Sequence, residues 1–154
     1  MRDVRKIASG IANAGQLHGD VATAGQPENE HLERLADAGY KTVVDLRTAE
    51  EPPRPDEWEM VVRRTGMEYL NIPVGHMDID DETFYHFRRL MQDPGRRPTL
   101  VHCASANRVG ALLIPFLILD EGRTPEKARE IAARVGLRSS RLERAAFRYV
   151  NANT

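Results

Sequence analysis

The chain of 154 residues contains a single cysteine, so no internal disulfide can form and packing alone must hold the fold. Neither charge sign is in excess: 22 Lys and Arg face 23 Asp and Glu, for a net charge of −1. Domains that grip nucleic acid through its phosphates carry a clear basic surplus, so no nucleic-acid partner is expected. Long apolar runs are missing as well. The longest, Ala111 to Leu119, falls short of the roughly 20 residues that a bilayer-spanning helix needs, and no membrane partner is expected. The opening MRDVRKIASGIANAG has basic residues with no continuous apolar stretch behind them, which does not read as a secretory signal and points to a cytoplasmic location. Repeats, low-complexity tracts and Gly/Ser-rich linkers are absent. Residues 1–154 are therefore expected to form one domain, with 1–16 loosely ordered.

What is present is ordinary for a globular domain: 41% hydrophobic and 29% charged residues. Folding at this length hides about two-thirds of the unfolded chain's surface, enough for one core. Strand and helix patterns alternate. Leu17 to Ala24 reads as a short strand ending at Gly25-Gln26-Pro27, and Glu28 to Ala38 as a helix with Gly39 in the left-handed position beyond its end. Lys41 to Leu46 and Glu68 to Ile72 read as buried strands, with a helix over Asp56 to Thr65 between them carrying Trp58, Val61 and Val62 inward. Asp80 to Gln92 is amphipathic, with Asp80 or Asp81 as its cap, and Thr99 to His102 is a further buried strand. The most apolar helix spans Arg108 to Asp120, with Pro115 as a kink. Thr124-Pro125 opens the next helix, and Ser140 with Glu143 forms a capping box for the last. This order predicts an α/β fold: a mostly parallel central sheet flanked by helices, with its site where Leu46, Ile72 and Val101 hand over to loops.

One handover carries chemistry. Thr99-Leu100-Val101-His102 runs into Cys103-Ala104-Ser105-Ala106-Asn107-Arg108-Val109-Gly110 and then a helix. A strand, a turn of small residues and a helix N-terminus make an anion cradle of converging N–H groups. The same donors stabilise a thiolate, so Cys103 is expected to be nucleophilic, and Arg108 offers a forked, permanently charged clamp for an oxyanion. Ala104, Ser105, Ala106, Asn107 and Val109 are the expected substrate-binding loop. His102 is expected either to orient that loop or to serve as a core histidine.

The His-Cys, small residues, Arg and Gly of this loop resemble the phosphate-binding loop of the cysteine-dependent protein phosphatases. VVDLR (43–47) and YLNIPV (69–74) resemble the dual-specificity branch. The turn Ala24-Gly25-Gln26-Pro27, the helix after it and the stretch from Gly39 to Arg47 resemble the bacterial beta-lactamase-hydrolase-like group. The resemblance covers roughly residues 17–120 and implies a phosphatase-like fold with Cys103 as nucleophile and Arg108 as clamp. Three departures stand out. Four residues, not the usual five, separate Cys103 from Arg108. The loop lacks glycine, so Asn107 is expected to take any left-handed position. Val109 replaces the usual Ser or Thr after the arginine.

The resemblance places a general acid in Gly75-His76-Met77-Asp78-Ile79-Asp80-Asp81, with Asp78 first choice and His76 its competitor. The five histidines show no zinc-like pairing, so no metal or other cofactor is expected. Arg47 is expected either to assist substrate binding or to pair with Glu50 or Glu51. Eight basic residues (Arg123, Lys127, Arg129, Arg134, Arg138, Arg141, Arg144 and Arg148) read as a solvated helical face that can draw anions toward the cleft.

Three functions compete. The first is a phosphatase that acts through a phosphocysteine on Cys103, with an anionic small molecule or a phosphorylated substrate as partner. The second is a sulfurtransferase, because six-residue loops counted from Cys to Arg resemble those of rhodaneses. The third is an anion or redox sensor built on an exposed thiolate.

Overall fold

The structure is a computed structural model, and it describes residues 3–154. Five strands form one sheet in the order β1-β2-β5-β3-β4: β1 (Gly15–His18), β2 (Val21–Ala24), β3 (Thr42–Asp45), β4 (Glu68–Asn71) and β5 (Thr99–His102). The pairs β2–β5, β5–β3 and β3–β4 are parallel and only β1–β2 is antiparallel, as the alternating pattern predicts. Strand alternation divides the core. Val21, Val44 and Val101 face one side; Ala22, Val43 and Leu100 face the other. Over the second face lie α1 (Val4–Ile7), α2 (Asn29–Asp37) and α3 (Pro55–Arg64), packing Leu32, Leu35, Trp58 and Val62. Over the first lie α4 (Asp81–Met91), α5 (Asn107–Pro115), α6 (Pro125–Val135) and α7 (Ser140–Ala152). Among the described residues no helix is long and apolar enough to cross a membrane.

Several local signals work as anticipated. At the end of α2 the Gly39 N–H bonds to Ala36 O and the Tyr40 N–H to Leu35 O, with Gly39 at φ +96°. This is the paired closure that an achiral residue permits. Asp80 Oδ1 accepts from the Thr83 N–H to cap α4, and Thr124 does the same for the Lys127 N–H at α6.

Four expectations need correction. Leu17 to Ala24 is not one strand, because Gly19-Asp20 turns the chain and makes a β1–β2 hairpin. The cap of α7 is Ser139, not Ser140. Ser139 has the extended backbone and its Oγ accepts from the Leu142 N–H. The helix from Arg108 does not run evenly to Asp120. Pro115 has no N–H to donate, and residues Phe116–Asp120 continue as a π-helical turn closed by Glu121 N–H to Phe116 O. Residues 3–14, expected to be loose, are packed: Val4, Ala8 and Ile11 are buried, and the Val4 N–H bonds to Gln16 Oε1 at 2.8 Å. The same expectation for residues 1 and 2 lies outside the described residues.

Candidate active site

Parallel pairing sets Ala24, His102, Asp45 and Asn71 level with one another at the carboxyl ends of four strands. The loops that leave this edge meet at Cys103. Its N–H bonds to Ala24 O at 3.3 Å, which carries the strand pairing one step beyond β5. Ala104 O then accepts from the Gln26 N–H, and Ser105 O from Asn13 Nδ2, both at 3.0 Å. In a trans peptide the N–H points opposite to the C=O. Two outward carbonyls therefore turn the Ser105 and Ala106 N–H groups inward, toward the concave side of the loop. Gly25 permits this arrangement, since a Cβ there would stand 2.7 Å from Ala104 O.

The left-handed residue is Ala106 (φ 70°, ψ 2°), not Asn107. Asn107 is the first residue of α5, and its Oδ1 accepts from the N–H groups of Arg138 and Ser139 at 2.7 and 3.2 Å. Its side chain therefore fastens the α6–α7 connection to the cysteine loop. Gly110 lets the two helices close up: a Cβ there would lie 2.8 Å from both Ala132 O and Leu137 Cβ. Val109 is buried in the core and offers no hydroxyl to the loop.

Cys103 and Arg108 are 0% and 1% exposed, while Ala104 and Ser105 are exposed at the rim. Arg108 lies near enough to Cys103 for charge attraction between guanidinium and thiolate. The Nη1 atom of Arg108 donates to Glu51 Oε2 (2.7 Å) and Val74 O (2.9 Å), and Nη2 donates to Glu51 Oε1 (2.6 Å). A guanidinium carries five N–H donors, so the Nε–H and the second Nη2 hydrogen remain. Those two share one edge, the geometry that holds an oxyanion in a fork.

Glu51 is the residue that sequence reasoning missed in this role. Besides Arg108, its carboxylate accepts from Thr48 N–H (2.7 Å) and Thr48 Oγ1 (2.8 Å). These bonds, the Arg108 pair above all, hold its carboxyl down at about 2. Sequence reading offered Glu50 or Glu51 to Arg47. The structure exchanges the partners, because Arg47 pairs with Asp45 through Nε and Nη2, both at 2.9 Å. The remaining nitrogen of Arg47 donates to the backbone carbonyls of Glu51 (3.3 Å) and Pro53 (2.6 Å). Every side-chain nitrogen of Arg47 is thus engaged by Asp45 or by the Glu51 and Pro53 carbonyls, which gives it a structural role in place of the expected binding one. It pins the proline-rich loop so that Glu51 faces Arg108. The Asp45 carboxylate also accepts from the Tyr69 hydroxyl at 2.6 Å.

His102 is settled by its neighbours. Trp58 Nε1–H can only donate, and it reaches His102 Nε2 at 3.1 Å. Nε2 is therefore bare, and Nδ1 carries the proton toward Cys103 O at 3.2 Å. Complete burial pushes the His102 pKa down, so the ring is a neutral brace for the loop.

Asp78 lies on the exposed β4–α4 loop, 3.3 Å from Arg148 of α7. His76 Nε2 stands 3.9 Å from Glu51 Oε1. With Asp80 capping α4, these three residues have separate partners.

A strand-end cysteine followed by an arginine at the head of a buried helix, set in this α/β/α arrangement, matches a cysteine-dependent, dual-specificity-like phosphatase domain, with a loop one residue shorter than is usual there. A family profile described as "DSP-PTPase phosphatase fused to NAD+ Kinase" matches residues 8–148, and the chain belongs to that family. A curated relative, the beta-lactamase hydrolase-like protein of Xylella fastidiosa, is 32% identical over 103 residues. That match covers 65% of this chain and 24% of the relative, so it takes in about a quarter of the relative's length. Solved structures share the fold. A DUF442 protein of Shewanella putrefaciens has a TM-score of 0.80 with 20% identity over 97% of both chains. The core catalytic domain of the PP-IP phosphatase SIW14 of S. cerevisiae has 0.77 with 17% identity, over 90% of this chain and 86% of that one. TpbA of P. aeruginosa has 0.71 with 21% identity, over 92% and 84%.

Proposed function

We propose that the domain hydrolyses phosphate monoesters through a phosphocysteine on Cys103. The observation that carries this reading is the free Nε/Nη2 edge of Arg108 beside Cys103, next to the inward N–H groups of Ser105 and Ala106. Because Glu51 and Val74 take only the other three guanidinium hydrogens, four donors, two from Arg108 and two from the loop, are left for phosphoryl oxygens. In the first step Cys103 Sγ attacks phosphorus in line, the bond from phosphorus to the leaving oxygen breaks, and Asp78 hands its proton to that oxygen. In the second, water attacks the phosphocysteine, Asp78 takes the water's proton, and phosphate leaves as the thiolate returns. Arg108 and the loop N–H groups stabilise the charge that builds on the equatorial oxygens in both steps. In the structure Asp78 pairs with Arg148 on an exposed loop, so acting as the acid requires it to leave that pair. The substrate class is a phosphorylated small molecule or side chain.

The test is the adduct on the single cysteine. Purified protein is mixed rapidly with 4-nitrophenyl phosphate, quenched in acid and weighed by intact mass, beside a Cys103→Ser control and a thiosulfate arm. The expected result is a phosphoryl adduct that the control lacks. A persulfide from thiosulfate without phosphate release would replace this reading with sulfur transfer, which the short Cys-to-Arg spacing favours. Asp78→Asn is expected to slow alkyl phosphates more than aryl phosphates, because only a poor leaving group needs the proton; equal slowing moves the acid role elsewhere.

A further inference from the structure

The eight basic residues near the C-terminus do not form one solvated face. Lys127 and Arg134 share Glu130, Arg129 pairs with Glu143, and Arg138 binds the carbonyls of Ala133 and Leu137. Three others stand in a row on α7, at i, i+3 and i+7: Arg141, Arg144 and Arg148. They line a hollow of about 490 Å³ together with Met77 and Asp78. Arg148 has Asp78 as its partner, while Arg141 and Arg144 have no acidic partner among the described residues. Like charges one turn apart destabilise a helix, and an anion bound between them would offset that repulsion.

Both walls of this hollow are tied to the cysteine loop. The α7 wall begins two residues after Ser139, whose N–H bonds to Asn107 Oδ1 in the first turn of α5. The other wall, at Asp78, lies four residues past Val74, whose carbonyl binds Arg108. Four residues of chain span at most ~14 Å. We propose that the hollow is a second anion subsite, in which Arg141, Arg144 and Arg148 hold a further phosphate of a substrate whose scissile phosphate sits on Cys103. The inference rests on the phosphatase reading for the position of the scissile group, and it narrows the substrate class to organic compounds with at least two phosphates. The subsite phosphate competes with Asp78 for Arg148 and so frees that carboxylate.

The test compares fructose 1,6-bisphosphate with fructose 6-phosphate, which differ by one phosphate, as competitors of 4-nitrophenyl phosphate hydrolysis. The wild-type protein is expected to bind the bisphosphate at least ten-fold more tightly. Arg141→Ala/Arg144→Ala is expected to abolish that preference and to leave kcat and KM for 4-nitrophenyl phosphate within two-fold. Arg141→Lys/Arg144→Lys, which keeps the charge, is expected to retain most of it. Equal affinity for the two sugars in wild-type protein, or an equal loss of both in the alanine variant, overturns the subsite. If 4-nitrophenyl phosphate is not hydrolysed at all, the phosphatase reading fails separately. Calorimetric titration of the same sugars into the same proteins then decides the subsite by the same criteria.

Discussion

Glu51 meets Arg108 end-on, carboxylate to guanidinium at 2.6 and 2.7 Å, and so decides which edge of the arginine a ligand can use. The pair joins the loop after β3 to the first turn of α5. It holds one terminal side of a buried cation and leaves the Nε side open toward the cysteine.

Glu51→Gln keeps the shape but removes the charge. It is expected to lower kcat/KM for 4-nitrophenyl phosphate at least ten-fold, because Arg108 is no longer held in register, and to cost about 2–3 kcal/mol for a largely buried arginine left without its counterion. The folded carboxyl titrates at about 2, below its ordinary 4.5. Its stabilisation is therefore complete above about pH 4.5 and is lost as pH falls toward 2. Urea unfolding should show a wild-type advantage that is flat above pH 5 and shrinks below it. An advantage independent of pH from 7 to 3 would falsify the pairing as the cause.

Arg47→Lys is expected to be severe because the whole guanidinium is engaged within the protein. A point charge cannot replace the fork on Asp45 and also reach the carbonyls of Glu51 and Pro53. A loss of about 3 kcal/mol in urea unfolding is expected, from a nearly unexposed pair. Activity should fall alongside, through the displaced Glu51. A variant as stable as wild type would refute the anchoring role.

The tautomer of His102 is open to direct observation. Nitrogen-15 spectra should show Nδ1 protonated and Nε2 bare, with no titration at pH 6.5, where an ordinary histidine is half protonated. Trp58→Phe deletes the donor to Nε2 and is expected to cost about 1–2 kcal/mol, the penalty for a buried acceptor left unpaired. A ring that titrates near 6.5 in the wild type contradicts the brace.

At Gly110, one methyl group tests the seam between α5 and α6. Ala there would meet Ala132 O and Leu137 Cβ at 2.8 Å, and neither a helix carbonyl nor a buried Leu can step aside alone. Gly110→Ala is expected to destabilise by roughly 1–3 kcal/mol. It should also weaken turnover, because Leu137 leads into the Arg138–Ser139 connection that Asn107 holds. Unchanged thermal unfolding would mean that the helices separate freely.

Much of this was legible in the sequence because its causes are local. Val43-Val44, Leu100-Val101 and Trp58 with Val62 announce buried strands and a helix face by periodicity, and a left-handed Gly39 or a capping Thr124 acts within a few residues of itself. The position of Cys103 and Arg108 on either side of a strand-to-helix turn was equally plain, since order along the chain conveys it. What the tertiary structure decided were the partners. Whether Arg47 or Arg108 receives Glu51, whether Ala106 or Asn107 carries the positive φ, and which arginines of the last two helices stay unpaired all depend on contacts between loops far apart in sequence. Charge attraction and burial act on distance in space. The sequence supplies the candidates for each pairing, and only the packed sheet brings Glu51 to Arg108 and, among the described residues, leaves Arg141 and Arg144 without an acid.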